Sequence, residues 1–413
     1  MPDLGNGANP GTRGKFSKPA FYELNVWKPH IPSVLCHTPV FDNNQKRLPV
    51  AQIDLFRLPH DAVHHPSRLE IAQYLQWRHR KKFCRFSSHF LLPAEHLRSQ
   101  AVRSVSATML KKKKTVAPKW FIAAVQTPYE ERFVQVRRAT IHYLRWGRPG
   151  KPGLLFIHGG FAHAHWWDFI APAFAQDYCV AAIDLGGMGD SDHRQKYSTE
   201  IFADEVMSVC SHAGFANRPV VMGHSFGGLV ALKTGVLHGG ELSGVVLIDF
   251  PLRPPEMQKE HESRGPLIRP KETYPERQVA LKRFRLIPPQ PCDNQFILDY
   301  IASHSLAKVD GGWCWKFDDK MFDKFKSGNI AAELSSIKCR LAVIYGKRSA
   351  LFPREIVQYM SKVLKKTTSV IALPGVHHHL FLEQPRVFVK TLRKLFDQWR
   401  FKGETQMNKT SFP

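Results

Sequence analysis

The chain has 413 residues, of which 43% are hydrophobic and 11% aromatic, and 59 Lys and Arg oppose 35 Asp and Glu for a formal net charge of +24. This length and apolar content allow a large buried core and exclude collagen-like, coiled-coil and disulfide-framework proteins. No stretch approaches the roughly 18 consecutive apolar residues of a membrane-spanning helix, so we predict no transmembrane anchor.

The excess positive charge is concentrated near the N-terminus. Residues 1–118 hold 19 Lys and Arg against 7 Asp and Glu, which is half of the excess in under a third of the chain. Apart from a helix predicted at Ser67–Arg80, this segment has poor periodicity and recurrent prolines, so we predict a basic, poorly ordered extension over 1–118. A solvated arm is the simplest interpretation, and contact with nucleic acid, acidic membrane or an import machinery is the alternative. No nucleic-acid-binding motif is present, so we predict no specific nucleic-acid partner.

Cysteine usage and the N-terminus bear on the compartment. The seven cysteines are scattered without a Cys-x-x-Cys pair, which is typical of reduced thiols inside cells. The first residues, Met1–Gly5, lack the apolar segment of a secretory signal. We expect an intracellular and preferentially cytoplasmic protein, with organelle import through the basic N-terminus as the alternative.

Regular structure is predicted from about residue 129. Phe133–Arg138 and Thr140–Trp146 alternate apolar and polar residues, which predicts an antiparallel hairpin. Five continuously apolar runs follow with helical patterns between most of them, which indicates a mostly parallel sheet covered on both faces. Active sites of such sheets gather beyond the carboxyl ends of the strands. The five runs are Leu154–Ile157, Cys179–Ile183, Val220–Met222, Gly244–Ile248 and Leu341–Tyr345.

The most specific motif is Gly223-His-Ser-Phe-Gly227, between a predicted strand and a predicted helix. This sequence is typical of a sharp turn that exposes a nucleophilic serine, here Ser225, at a helix N-terminus. The two glycines leave room for the strained turn, and free N–H groups favour developing negative charge. A glycine-rich turn with an incidental serine is the alternative.

A second glycine-rich turn, Ile157-His-Gly-Gly-Phe161, ends an earlier predicted strand. Small residues there allow backbone N–H groups to face a reacting carbonyl, and oxyanion stabilisation requires such preorganised donors. We predict an oxyanion hole from Gly160 or Phe161 together with Phe226. We expect His158 to anchor the loop rather than to act as a base.

Three consecutive histidines, His377, His378 and His379, follow a predicted strand near residue 373. An imidazole there can accept the serine proton and return it to the leaving group. A zinc site is the rival interpretation, but adjacent histidines rarely converge on one ion and no Cys or Asp pattern accompanies them. We therefore predict no metal and no cofactor.

Together these motifs resemble the α/β-hydrolase superfamily over residues 129–400. The likeness also includes Asp184–Ser191, whose Asp184 and Asp190 we expect to fix a loop beside the site. It implies an α/β fold with a mostly parallel, doubly wound sheet and a helical cap inserted after strand six. The closer resemblance is to cap-bearing serine hydrolases often labelled epoxide-hydrolase-like, whose spacing selects His378, five residues before Glu383, as the base.

The resemblance also gives expected domain boundaries. Residues 119–250 and 336–402 would form the hydrolase core, 251–335 the inserted cap, and 403–413 a tail. Aromatic side chains of the cap and nearby loops are expected to line an apolar acyl pocket, with burial in the core as an equal alternative. These side chains are Trp166, Trp167, Trp313, Trp315 and Phe381.

The acidic residue expected to pair with His378 departs from the family pattern. The family usually has an Asp just beyond strand seven, where this chain has Ser349. Asp249, at the end of strand six, fits the order Ser…Asp…His and would hold the tautomer of His378. The alternatives are Glu355, a dyad supported by Ser349, and a catalytically dead site.

The residue at the turn also bears on the chemistry. Haloalkane dehalogenases and epoxide hydrolases of this fold use an Asp nucleophile there, whereas this chain has Ser225. We therefore expect acyl transfer to serine and hydrolysis of a small, apolar carboxylic ester, thioester or similar acyl compound. Carbon–carbon bond hydrolysis and acyl transfer to another acceptor use the same residues. A non-catalytic binding protein on the hydrolase fold is the alternative from another class.

Overall fold

The structure is a computed structural model that describes residues 116–263, 270–326 and 333–410. The helix predicted at Ser67–Arg80 and the basic extension up to residue 115 lie outside these ranges. Within them, no helix is both long enough and apolar enough to cross a membrane. The five cysteines in the described ranges are free thiols.

An eight-stranded, mostly parallel sheet organises the fold. The strands of the described residues are β1 (Glu130–Val136), β2 (Ala139–Trp146), β3 (Gly153–Ile157), β4 (Cys179–Ile183), β5 (Tyr197–Ser198), β6 (Val220–His224), β7 (Gly244–Ile248), β8 (Leu306–Val309), β9 (Gly312–Trp315), β10 (Phe325–Lys326), β11 (Arg340–Gly346) and β12 (Ser369–Leu373). In space the sheet runs β1-β2-β4-β3-β6-β7-β11-β12. The β1–β2 and β2–β4 pairs are antiparallel and the other pairs are parallel. The predicted hairpin and mostly parallel sheet are confirmed.

Helices cover both faces of this sheet. The helices of the described residues are α1 (Lys119–Val125), α2 (Thr199–His212), α3 (Phe226–His238), α4 (Pro255–Ser263), α5 (Arg277–Leu281), α6 (Gln295–His304), α7 (Arg354–Val363), α8 (Leu380–Glu383) and α9 (Pro385–Thr410). Alternate residues of β3 enter two different core clusters, Leu154 and Phe156 on one face and Leu155 and Ile157 on the other. The inner strands are continuously apolar because both of their faces are buried.

A long insertion separates the neighbouring strands β7 and β11. Its described residues contain the helices α4, α5 and α6 and an antiparallel β8–β9 ribbon. Its last strand, β10, pairs in parallel with β5 of the preceding region. The insertion therefore contacts the fold near the carboxyl ends of the central strands, while the proposed domain boundaries stay predictions.

Candidate active site

Ser225 occupies the sharp turn between β6 and α3. Its backbone has φ 52° and ψ −118°, a region that L-residues rarely adopt, and its N–H donates to the carbonyl of Ile248 at 2.9 Å. A Cβ on Gly223 would lie 1.9 Å from the carbonyl oxygen of Gly227, and a Cβ on Gly227 would lie 2.4 Å from that of His158. Both glycines are therefore required by the close approach of backbones at this turn.

A buried carboxylate–imidazole pair lies at the ends of β7 and of the loop after β12. The Oδ2 atom of Asp249 accepts hydrogen bonds from Nδ1 of His378 at 2.7 Å and from the Ser349 hydroxyl at 2.5 Å. Its Oδ1 atom accepts the N–H of Gly346 at 2.8 Å. Both members of the pair are almost fully buried, with exposed fractions of 0% and 2%. Ser349, at the position where an acid is usual, thus contacts the acid supplied by the neighbouring strand.

Burial dominates the protonation of this pair. It disfavours the imidazolium and lowers the pKa of His378, and the positive charge of Arg253 acts in the same direction. Burial also raises the pKa of Asp249, while the hydrogen bonds from Ser349 and Gly346 oppose that change. His378 is therefore neutral at physiological pH, the form that a proton acceptor requires.

His224 connects the serine turn to the pair. Its ring centroid lies 4.6 Å from that of His378, and its Nε2 donates to the backbone carbonyl of His378 at 3.1 Å. The next residue is Ser225, so the hydrogen bond links the turn to the histidine loop. Within the described ranges, neither the Ser225 hydroxyl nor Nε2 of His378 forms a hydrogen bond. Hydrogen bonds of this kind often tighten only when substrate binds.

The glycine-rich turn after β3 lies against the start of α3. A Cβ on Gly160 would lie 3.7 Å from Cβ of Phe226, so these two predicted donors are neighbours. Phe161, with φ 60°, instead donates its N–H to the sulfur of Met188 at 3.2 Å. Of the two predicted alternatives, the geometry favours Gly160 over Phe161. No sequence pattern indicated the contact with Met188.

Two buried polar residues hold the loops beside this turn. His158 accepts the N–H of Leu185 at 3.1 Å, and its other ring nitrogen faces the neighbouring carbonyl of Gly159 at 2.7 Å. Asp184 accepts the backbone N–H groups of Ala164 at 2.5 Å and Asp190 at 2.8 Å. These contacts fit the expected anchoring roles of His158 and Asp184.

Only part of the predicted aromatic pocket lies near the pair. The ring of Trp166 is 5.6 Å from that of His379. Trp167 and Phe381 are fully buried and stacked at 4.5 Å, so they belong to the core, although Phe381 also contacts His224 at 5.0 Å. For Trp167 the structure supports the alternative of burial in the core.

Trp313 and Trp315 lie in β9 and contact other parts of the insertion. Trp313 stacks under the guanidinium of Arg277, 5.6 Å from its ring centroid. Trp315 contacts Phe284 at 6.2 Å. No ring contact joins either tryptophan to the serine turn within the described residues, so their predicted place in the acyl pocket is not supported.

Other phenylalanines cover the two glycine-rich turns instead. Phe322 lies 4.9 Å from Phe161 and 5.3 Å from Phe226, and Phe325 lies 5.3 Å from Phe226. Phe317 completes the cluster at 4.9 Å from Phe161. Sequence reasoning missed Phe322 and Phe325, because only the fold of the insertion brings them to this place.

The three consecutive histidines do not share one environment. His378 and His379 lie close together, with ring centroids 4.7 Å apart. Their third neighbour is His224, and one ring nitrogen from each of the three lies within 4.8 Å of the others. His377 turns away to Glu383, at 3.0 Å.

Comparison with known proteins agrees with this architecture. The model of the alpha/beta hydrolase family matches residues 154–391, which is more than half of the chain. The chain belongs to the alpha/beta hydrolase family. Esterase Rv0045c of Mycobacterium tuberculosis is 23% identical over 67% of this chain and 92% of its own length.

Other relatives carry different names. Human Epoxide hydrolase 4 is 29% identical over 32% of this chain, and the match spans only 37% of that protein. Among solved structures, a thioesterase domain from the curacin biosynthetic pathway matches with a TM-score of 0.54 and 23% identity, covering 64% of this chain and 98% of that one. E-2-(Acetamidomethylene)succinate hydrolase matches with a TM-score of 0.56 and 18% identity, covering 65% and 100%. Structural matches at this identity show the shared fold.

Proposed function

We propose that this hydrolase cleaves small, apolar carboxylic esters or thioesters through an acyl-serine intermediate. The observation that carries the proposal is the buried Asp249–His378 pair, whose second ring nitrogen has no partner in the described chain. The pair is linked through His224 to the turn that exposes Ser225. Similar proteins named esterase and thioesterase support this reaction class.

The proposed reaction begins with attack of the Ser225 hydroxyl oxygen on the substrate carbonyl carbon. Nε2 of His378 accepts the hydroxyl proton, and Asp249 stabilises the resulting imidazolium. The N–H groups of Gly160 and Phe226 stabilise the oxyanion. His378 returns the proton to the departing alkoxide or thiolate. Water then attacks the acyl-serine in the same way and releases the carboxylic acid.

Similarity to an epoxide hydrolase does not extend the proposal to epoxides. Attack by the Ser225 oxygen on an epoxide carbon would form an ether. An ether has no carbonyl carbon for water to attack, so the enzyme could not be regenerated by the steps above. An Asp nucleophile avoids this problem because it forms an ester.

The aromatic rings over the two glycine-rich turns support an apolar acyl group. Phe161, Phe226 and Phe322 form a contiguous surface next to Gly160. A Cβ on Gly160 would lie 3.5 Å from the Phe322 ring, so the insertion reaches the proposed oxyanion hole. An acyl chain bound there would replace water on apolar surface, which is favourable.

A fluorophosphonate probe tests the proposal directly. We expect the probe to label the wild-type protein at Ser225, with labelling abolished in Ser225→Ala. Ser361→Ala is the matched control, because that hydroxyl donates to the carbonyl of Gln358 on the exposed face of helix α7. A series of p-nitrophenyl esters, an acyl thioester and an aryl epoxide should be assayed in parallel. Absence of labelling in folded protein would favour a non-catalytic binding protein, and epoxide turnover would refute the proposed chemistry.

A further inference from the structure

Three buried imidazoles meet beside the proposed active site. His224 ends β6, and His378 and His379 lie in the loop before α8. Their exposed fractions are 1%, 2% and 3%, and their ring centroids are 4.6 to 5.2 Å apart. One nitrogen of each ring lies within 4.8 Å of the others. The proposed reaction uses only His378.

Hydrogen bonds fix the tautomers of two of these rings. Nε2 of His224 faces the carbonyl oxygen of His378, which can only accept, so Nε2 carries the proton and Nδ1 has a free lone pair. Nδ1 of His378 faces the Asp249 carboxylate, which leaves the lone pair on Nε2. Both free nitrogens are buried and have no partner among the described residues.

Gln290 fixes the third ring. Its Oε1 accepts both the backbone N–H of His379 at 2.7 Å and the ring Nδ1 at 2.9 Å. Its Nε2 donates to the Glu383 carboxylate at 2.8 Å, which prevents the amide from turning over. His379 therefore carries its proton on Nδ1 and has its lone pair on Nε2.

We propose that Nδ1 of His224 and the Nε2 atoms of His378 and His379 form a binding site for a divalent transition metal such as Zn²⁺. Imidazole is a preferred ligand of such ions, and three histidines with an open fourth position are an established zinc geometry. Each ring already donates its other N–H to an oxygen acceptor, which is the arrangement that supports metal-bound histidines.

The spacing of the ring nitrogens is compatible with binding after a small movement. Tetrahedral zinc with nitrogen ligands at about 2.0–2.1 Å requires nitrogens about 3.4 Å apart. One nitrogen of each ring lies within 4.8 Å of the others, so the rings would have to move closer together to bind an ion.

An ion at this site would inhibit the enzyme. It would occupy the lone pair of Nε2 of His378, which is the atom that must accept the Ser225 proton, so metal binding and general-base catalysis exclude each other. The inhibitory effect rests on the proposed function, whereas metal binding does not.

Binding is tested first, by equilibrium dialysis and calorimetry of the full chain with Zn²⁺. The chain contains 21 histidines, so the informative quantity is the difference between variants. We expect His224→Gln and His379→Gln each to lose one equivalent of high-affinity zinc. His377→Gln, the matched control from the same run of histidines, should keep it, because that side chain faces Glu383. Thermal unfolding verifies that each variant is folded.

A second readout needs no variant. The X-ray absorption spectrum of wild-type protein with one equivalent of zinc should show three imidazole ligands. Zinc binding that is equal in wild type, His224→Gln and His379→Gln, or a spectrum dominated by oxygen ligands, would overturn the proposed site.

Inhibition is measured separately. We expect Zn²⁺ to slow both ester turnover and fluorophosphonate labelling of Ser225. EDTA should reverse this inhibition, and Mg²⁺ should not cause it. With each rate expressed as a fraction of that protein's own uninhibited rate, half inhibition of His379→Gln should require at least about tenfold more zinc than half inhibition of the wild type. If the wild type binds one equivalent but no ester is turned over, the proposed function fails while the metal site stands. Turnover that zinc leaves unchanged, with the site loaded, would refute the inhibitory role.

Discussion

Replacing Asp249 with Asn should invert the tautomer of His378. The Oδ1 position accepts a backbone N–H from Gly346, which can only donate, so the amide oxygen of an Asn must stay there. The amide nitrogen then takes the Oδ2 position and faces both the Ser349 hydroxyl and Nδ1 of His378. The hydroxyl can rotate to accept, but the imidazole can accept only by moving its proton to Nε2. Nε2 then cannot take the proton of Ser225.

The size of this effect follows from the loss of general-base catalysis. A wrong tautomer removes general-base catalysis almost completely, and the corresponding change in a serine protease triad costs about 10⁴-fold in kcat. At about 1.36 kcal/mol per tenfold this is roughly 5.5 kcal/mol of transition-state stabilisation. Because the substituted amide can keep the contact with Gly346 and the side-chain volume is unchanged, unfolding free energy should change by no more than about 1–2 kcal/mol. Steady-state ester hydrolysis and the rate of fluorophosphonate labelling measure the loss, and denaturant unfolding measures stability.

Two further carboxylates serve as controls for this substitution. Glu355 is exposed in the first turn of α7, and Asp190 forms a surface ion pair with Lys316. Glu355→Gln and Asp190→Asn should each retain turnover within about threefold, as expected for surface positions. Turnover of Asp249→Asn within tenfold of wild type, or a large loss in Glu355→Gln, would show that Asp249 is not the acid that orients His378.

Two other predictions concern the serine turn and the pH dependence. Gly223→Ala should destabilise the fold by about 1–3 kcal/mol or more and reduce probe labelling, because its Cβ would collide with the Gly227 carbonyl, whereas Gly240→Ala has open space and should be neutral. Equal unfolding midpoints for the two variants would contradict the steric argument. Arg253→Gln should raise the pKa of His378, because a nearby positive charge that disfavours the imidazolium is removed. The acidic limb of kcat/KM against pH should then move to higher pH with the rate above the limb retained, and an unmoved limb would contradict this coupling.

Features encoded by local spacing could be predicted from the sequence. The apolar strands and the glycine-rich turns depend on neighbouring residues, so the sheet and the strained turn at Ser225 were both predicted. Contacts between distant segments could not be predicted from the sequence, because they depend on how the insertion folds. Gln290 reaches His379, and Phe322 covers Phe161, only after the insertion packs on the sheet. The convergence of His224 with the late histidines was missed because it joins segments about 150 residues apart in the chain.

The position of the Asp249 carboxylate follows from the pairing of two adjacent parallel strands. β7 and β11 are hydrogen-bonded in register, with Ile248 opposite Ile344, so the residues after both strands emerge at one edge of the sheet. The N–H of Asp249 still donates to the carbonyl of Ile344 at 2.8 Å, and its φ of 48° marks a sharp departure from the strand. A carboxylate from either strand end can therefore reach the same histidine. In this chain the end of β7 supplies the carboxylate, and Ser349 after β11 supplies a hydroxyl that donates to it.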